Sequence, residues 1–206
     1  IGAKGLAKEI VEIIQPQDLF EDLVFYDDIE ENKEMLFLNS FPIIKSVNEL
    51  KDALKKDKRF SLGIGDPKIR KKYFELVKSL GGEFVSLVHP TARIGRFDVT
   101  IEEGCGIMHN TTIANGSRIS KGVIIYHNAQ ITHDCAVGEF SILAPGAILL
   151  GGAQVGSYSQ IGANATILPN VRIGENVIVG AGAVVSRSIP DNVIVSGVPA
   201  RIKNKY

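Results

Sequence analysis

The sequence predicts two architectures in series: a small α/β domain on a parallel sheet over residues 1–88, then a hexapeptide-repeat β-helix over residues 89–206. Residues 1–88 hold 30 of the 46 charged side chains but only 6 of the 21 glycines, so the composition changes near His89. The first part alternates strand-like and helix-like segments, as a parallel α/β sheet requires. In the second, every sixth residue from Ile101 to Val185 is Ile, Val or Leu. Neither a helix, with a period of about 3.6, nor a strand, with a period of about 2, produces that spacing.

The α/β elements follow in order. Ile1 reads as the end of a strand whose beginning lies outside the chain, and Gly2-Ala3-Lys4-Gly5 turns it into a helix that reaches Ile14 and stops at Pro16. Leu23 to Tyr26 is an apolar strand ending in Asp27-Asp28. Ser46-Val47-Asn48-Glu49 is a capping box, in which hydroxyl and carboxylate each satisfy a backbone amide. A further helix starts at Asp66-Pro67 and stops at Gly81-Gly82, between strands at Phe60–Ile64 and Phe84–Val88.

Two residues before each core aliphatic of the repeat stands a small or β-branched residue, as in Cys105, Thr111, Ser117, Ala129 and Cys135. Each hexad is one short strand and a corner, and three hexads make a coil of 18 residues. Coils stack at about 4.8 Å, so residues 18 apart are vertical neighbours. Ile94-Gly95 marks an irregular first coil, and the period breaks at Ser188-Ile189-Pro190-Asp191.

Composition excludes several functions. Basic and acidic residues balance at 23 each, and no Lys/Arg stripe suits a nucleic-acid partner. No apolar run approaches the roughly 18–20 residues that span a bilayer, and the start lacks the pattern of a secretory signal. A soluble cytoplasmic protein with no membrane partner is expected, and its 2 cysteines fit a reducing compartment.

His109, His127 and His133 each follow a core aliphatic by two residues, which places them at corners. Stacking sets His127 over His109, in a column continuing through Pro145, Ala163 and Ala181, and sets Gly151 over His133. Imidazole titrates near neutral pH and can take a proton from an amine or hydroxyl; the carboxylate of Asp134 can hold its tautomer. The Gly151 amide is placed to face a group attacked beside the ring. Spacing alone equally allows a solvated corner in which Asp134 only turns the chain. Zinc shared by the histidines, as in the γ-class carbonic anhydrases, needs ligands from a second subunit, so no metal is expected. Cys105 and Cys135 belong to the small inward column and read as packing. Gly2 and Gly5, opening a helix, suit a nucleotide phosphate, and Asp27 or Asp28 suits a ribose or base edge. Lys8 stands where the third glycine of a dinucleotide fingerprint belongs.

These residues resemble the bacterial two-domain sugar acetyltransferases, which include UDP-4-amino-sugar N-acetyltransferases of the bacillosamine pathway and sialic acid O-acetyltransferases. The likeness rests on Gly2-Ala3-Lys4-Gly5, Phe25-Tyr26-Asp27-Asp28, Gly63-Ile64-Gly65-Asp66, Val88-His89-Pro90, His133-Asp134-Cys135-Ala136-Val137-Gly138-Glu139-Phe140 and Gly197-Val198-Pro199-Ala200. It implies a Rossmann-like sugar-nucleotide domain and a left-handed β-helix that forms a homotrimer, with acetyl-CoA as co-substrate between adjacent subunits. The implied roles are general base for His133, its partner for Asp134, and oxyanion donor for the Gly151 amide. Gly151, Ala163, Ala181 and Pro199 would line acetyl-CoA; Gly2, Gly5, Asp27 and Asp28 would bind the sugar nucleotide. Relatives carry His, Asn, and His or an aromatic where this chain has Ile142, Tyr126 and Leu6, all three near the expected acceptor pocket. The expected reaction is acetyl transfer to the amine of a nucleotide-linked amino sugar for glycan synthesis. O-acetylation of a sialic-acid-like sugar, a zinc hydratase and a non-catalytic scaffold are the alternatives.

Overall fold

A computed structural model describes residues 1–15, 22–29 and 35–205. Helix α1 (Gly5–Ile14) is apolar on two sides. Ala3, Ala7 and Val11 pack on Phe25, Phe37 and Ile43 of the α/β sheet, whereas Leu6, Ile10 and Ile13 pack on Met108, Ile124 and Ile142 of the β-helix. A helix with two apolar sides has to be covered on both, and α1 is held between the two halves of the chain. Pro16, expected to end this helix, lies outside the described residues.

Strands β1 (Phe25–Tyr26) and β3 (Phe41–Ile44) run parallel, with β2 (Leu36–Phe37) antiparallel on the outer side of β3. On the other side of β1, the Gly2 amide donates to the Tyr26 carbonyl, the Ile1 nitrogen to Ser61 and the Gly63 amide to Ile1. That joins the first residues to the segment following β4 (Arg59–Phe60), which pairs in parallel with β5 (Glu83–Phe84). The parallel order is therefore β3, β1, residues 1–2, β4, β5. Helices α2 (Val47–Lys56) and α3 (Pro67–Ser79) cover the face opposite α1 through Leu50, Leu54 and Val77. Both start as the sequence predicts, α2 with the complete Ser46/Glu49 capping box and α3 with Asp66 accepting from the Lys68 and Ile69 amides.

One expectation is corrected. The apolar run Phe84–Val88 is not one strand: Phe84 belongs to the α/β sheet and β6 (Leu87–Val88) pairs with Gly106–Ile107 of the β-helix. Ser86 makes the break, its hydroxyl donating to the Glu102 carbonyl and accepting from the Cys105 amide.

From β6 to Val185, two-residue strands form three parallel sheets, the faces of a prism. The first face contains Leu87–Val88 and Ile124–Ile125, the second Arg93–Ile94 and Gln130–Ile131, the third Thr100–Ile101 and Ala136–Val137. Register follows the 18-residue step, Ile125 against Leu143 and Leu143 against Ile161. The aliphatic and small columns together form one buried core. Replacing Leu149, fully buried there, with alanine is expected to cost ~2–5 kcal/mol, because the coils above and below hold the cavity open. Urea denaturation followed by far-UV circular dichroism measures this; a loss below about 1 kcal/mol means the stack collapses to fill the void.

Arg70 fixes the α/β half to the edge between the third and first faces. Its side chain is fully buried, and its guanidinium donates to the carbonyls of Ile64 (3.3 Å), Gly65 (3.1 Å), Gly122 (3.4 Å), Ser141 (3.3 Å) and Phe140. Burial lowers its pKa to about 10, which leaves it cationic at neutral pH. Carbonyl oxygens rather than a carboxylate hold the charge, so loop and coil corner are tied by one side chain.

Candidate active site

His133 and Asp134 occupy the corner between the second and third faces. His133 Nδ1 lies 2.8 Å from Asp134 Oδ2, and each side chain is 70 % exposed. Asp134 adopts φ +59°, a left-handed conformation that Asp and Asn tolerate better than most residues, and this geometry swings its carboxylate back to the ring. Nδ1 thereby carries the hydrogen facing the carboxylate, which leaves Nε2 as the accepting nitrogen. Gly151 stands one coil above. A Cβ at Gly151 would lie 2.6 Å from both Cε1 and Nε2 of His133, so the glycine leaves the space against that side of the imidazole.

Other residues singled out from the sequence fall elsewhere. Ala163 and Ala181 share the edge between the first and second faces with His109 and His127, whose rings stack 4.9 Å apart. His133 is on the next edge round, so the three imidazoles do not converge, and no group of three metal-ligating side chains exists among the described residues. Burial pushes the Cys105 thiol up to about 11 and raises that of Cys135 as well, which keeps both protonated at neutral pH. Pro199 is exposed in the C-terminal turn.

The residues expected to bind a nucleotide come together at the sheet's switch point, where the chain leaves residues 1–2 for one face and β4 for the other. Gly2, at φ +88°, makes the turn, and a Cβ there would meet Ile64 at 2.9 Å. Gly5 opens α1, and nothing lies within 4 Å of the position its Cβ would take. Lys4 at the N-cap contributes no side-chain hydrogen bond to the first amides of α1. Asp27 and Asp28 differ. Asp27 is 4 % exposed and accepts from the Ala3 amide at 3.0 Å and the Ile29 amide at 3.2 Å, which shapes the glycine turn. Asp28 is exposed and accepts from the hydroxyls of Tyr26 (3.1 Å) and Tyr73. Tyr73, on α3, was missed in the sequence because nothing local connects it to Asp28.

Leu6 and Ile142, each 8 % exposed, lie in the apolar seam that fastens α1 to the first face, with Tyr126 at its margin. Three side chains singled out separately thus belong to one seam, and only its margin is open to a ligand.

Residues 1–77 match the PglD N-terminal domain, and residues 152–187 match the bacterial transferase hexapeptide (six repeats). No protein of curated function matches the chain. Among solved structures, PerB from Caulobacter crescentus, in complex with CoA and GDP-perosamine, is 31 % identical over 98 % of this chain and 95 % of its own, with a TM-score of 0.88. The acetyltransferase domain of PglB from Neisseria gonorrhoeae, in complex with acetyl coenzyme A, is 30 % identical over 98 % of this chain and 97 % of its own, with a TM-score of 0.89. WeeI from Acinetobacter baumannii is 28 % identical over the same shares, also at 0.89.

A β-helix of hexads behind a nucleotide-type α/β domain, with an oriented imidazole at one corner, defines a hexapeptide-repeat transferase with a left-handed coil. Within that class, the chain belongs to the sugar N-acetyltransferase family with a PglD-type N-terminal domain, of which PerB is a member.

Proposed function

We propose that this protein transfers the acetyl group of acetyl-CoA to the amine of a nucleotide-linked amino sugar, with His133 as general base. The observation that carries this reading is the His133–Asp134 pair facing Gly151 on an open edge of the coil. His133 Nε2 takes a proton from the attacking nitrogen and returns it to the departing sulfur, the Gly151 amide donates to the thioester oxygen, and Asp134 steadies the imidazolium. No acyl-enzyme is required. Residues 1–88 serve as the sugar-nucleotide domain, with the diphosphate on the α1 amides beside Gly2 and Gly5 and a ribose or base edge at Asp28. Residues 89–206 serve as the acyltransferase coil, with acetyl-CoA along Gly151, Ala163, Ala181 and Pro199. PerB with CoA and GDP-perosamine, and PglB with acetyl-CoA, support the substrate classes.

The prism geometry supports a homotrimer. Within one chain, α1 covers the first face, whereas His133 stands on the edge opposite it. A sugar held by the α/β domain therefore meets the His133 of a neighbouring copy, and the Ala163–Ala181 edge of one copy abuts the His133–Gly151 edge of another. No helix among the described residues is long and apolar enough to cross a membrane, which accords with a cytoplasmic biosynthetic enzyme.

The test is thiol release from acetyl-CoA against a panel of UDP-, GDP- and dTDP-linked amino sugars, with hydroxyl-only sugars and sialic acids alongside. Turnover confined to an amine acceptor supports the reading. Turnover only with hydroxyl acceptors, or none while CoA binds, removes it.

A further inference from the structure

The edge between the first and second faces carries a second titratable cluster, which the transfer step above leaves unused. His109 and His127 stack 7° from parallel, and His89 stands edge-on to His109 at 5.8 Å between centroids. Glu9 of α1 lies within electrostatic reach of His127 and His109. Its Oε2 is buried and has no hydrogen-bond partner. Burial pushes the Glu9 carboxyl up, His127 draws it down, Glu12 on the same helix pushes it up and His109 draws it down. Tyr126, whose ring lies 6.2 Å from that of His127, also interacts with Glu9, and Arg70 of α3 acts on Tyr126. Two parallel imidazoles thus stand 4.9 Å apart, next to a carboxylate with a vacant acceptor position. The cluster's imidazole nitrogens are of the kind that can accept a proton.

Amide formation requires such a group. A sugar amine is largely an ammonium near neutral pH and has no lone pair to attack with. The balanced reaction is ammonium plus thioester giving amide, thiol and one free proton. His133 handles the proton lost from nitrogen as the N–C bond forms and returns it to sulfur as the C–S bond breaks. The other proton must leave the ammonium before attack. The ladder occupies the lower coils of the column that continues upward through Ala163 and Ala181, which places it at the acceptor end of the proposed acetyl-CoA line.

We propose that His127, coupled to His109 and Glu9, takes the proton from the acceptor ammonium and passes it to solvent, acting from the edge that one subunit presents to the His133 of its neighbour. This rests on the N-acetyl-transfer reading and names the ionisation state of its substrate.

Two measurements test it. The first uses the protein alone: carboxyl-carbon NMR should find Glu9 titrating above the ordinary glutamate range of about 4.3, and further up in His127→Gln, since the side chain that draws it down is gone. An ordinary Glu9 value, or one indifferent to His127, overturns the coupling whatever the enzyme's substrate. The second is the pH profile of kcat/KM with the amine acceptor. Glu9→Gln and His127→Gln should each lose about tenfold near pH 6.5 yet come within about twofold of wild type near pH 9, where the amine deprotonates unaided. A loss equal at every pH reports damaged packing and overturns the role, as does an unchanged profile. His133→Ala, in contrast, should lose rate at every pH. Wild-type turnover with hydroxyl acceptors alone would sink the parent reading and this one with it, and the NMR result shows whether the cluster itself was misjudged.

Discussion

Replacing His133 with alanine should lower kcat by about 10²- to 10⁴-fold, the usual contribution of a general base, while KM for acetyl-CoA changes little. The ring is mostly exposed and its hydrogen bond runs to Asp134, so its removal leaves no cavity and no buried group unpaired. Thermal unfolding of the variant should match wild type. That combination separates a chemical role from a structural one: a proton acceptor is needed only as the amine attacks, so its loss appears in kcat and not in ground-state binding. Asp134→Asn should cost less, because an amide can still accept from Nδ1 but supports the imidazolium poorly. A His133→Ala enzyme retaining a tenth or more of wild-type kcat would mean that the amine reaches the thioester without this base, and the corner would revert to a solvated turn.

The aliphatic column and the small column were legible because each hexad must bury one large side chain and fit one small one at a corner, whatever surrounds the coil. A third column went unread. Three residues after each core aliphatic, from Asn110 to Gly182, the backbone is left-handed. Asn, Gly and Asp fill most of these positions, since they adopt that conformation at least cost. Asp134 belongs to this column, so turning the chain and holding the imidazole are one arrangement rather than rival explanations. Phe140 and Tyr158 are the exceptions, bulky residues at φ +55° and +59°. Their rings stack 6.0 Å apart, and Phe74 of α3 packs on Phe140 at 5.7 Å. Bulk at a corner marked where the α/β half docks, a signal open to anyone aligning the corners. Arg70 and Tyr73 had no such signal. Each acts through a contact far away in the chain, and a basic residue or a tyrosine on a helix otherwise reads as solvated surface. Leu6, Tyr126 and Ile142 were noticed as departures from relatives, but their gathering in one seam needed the coil and α1 in place.

Gly151→Ala should lower kcat by about 10²- to 10³-fold, comparable with loss of an oxyanion donor, without unfolding the coil. Gly151 does not occupy left-handed φ, so alanine fits its backbone. The obstacle is His133, whose Cε1 and Nε2 would sit 2.6 Å from the new methyl group. The backbone has little room to yield, because the Gly152 amide donates to the His133 carbonyl at 3.0 Å and the Asn170 amide to the Gly151 carbonyl at 2.9 Å. The exposed ring gives way instead. As it swings out, its bond to Asp134 breaks and Nε2 leaves the acceptor path, so one methyl group disables base and oxyanion geometry together. The adjacent glycine supplies the contrast. Gly152 stands at φ +70°, and a Cβ there would lie 2.5 Å from Asn170 Oδ1, so Gly152→Ala should destabilise the coil by about 1–2 kcal/mol through backbone strain. Because Gly152 does not back the imidazole, the folded fraction should keep most of its kcat. Steady-state kinetics and urea melts on the two variants decide the matter: activity lost at Gly151 with stability kept, and the reverse at Gly152, place the chemistry on the open face of His133. Equal losses of stability in both would mean that the corner is tuned for folding alone.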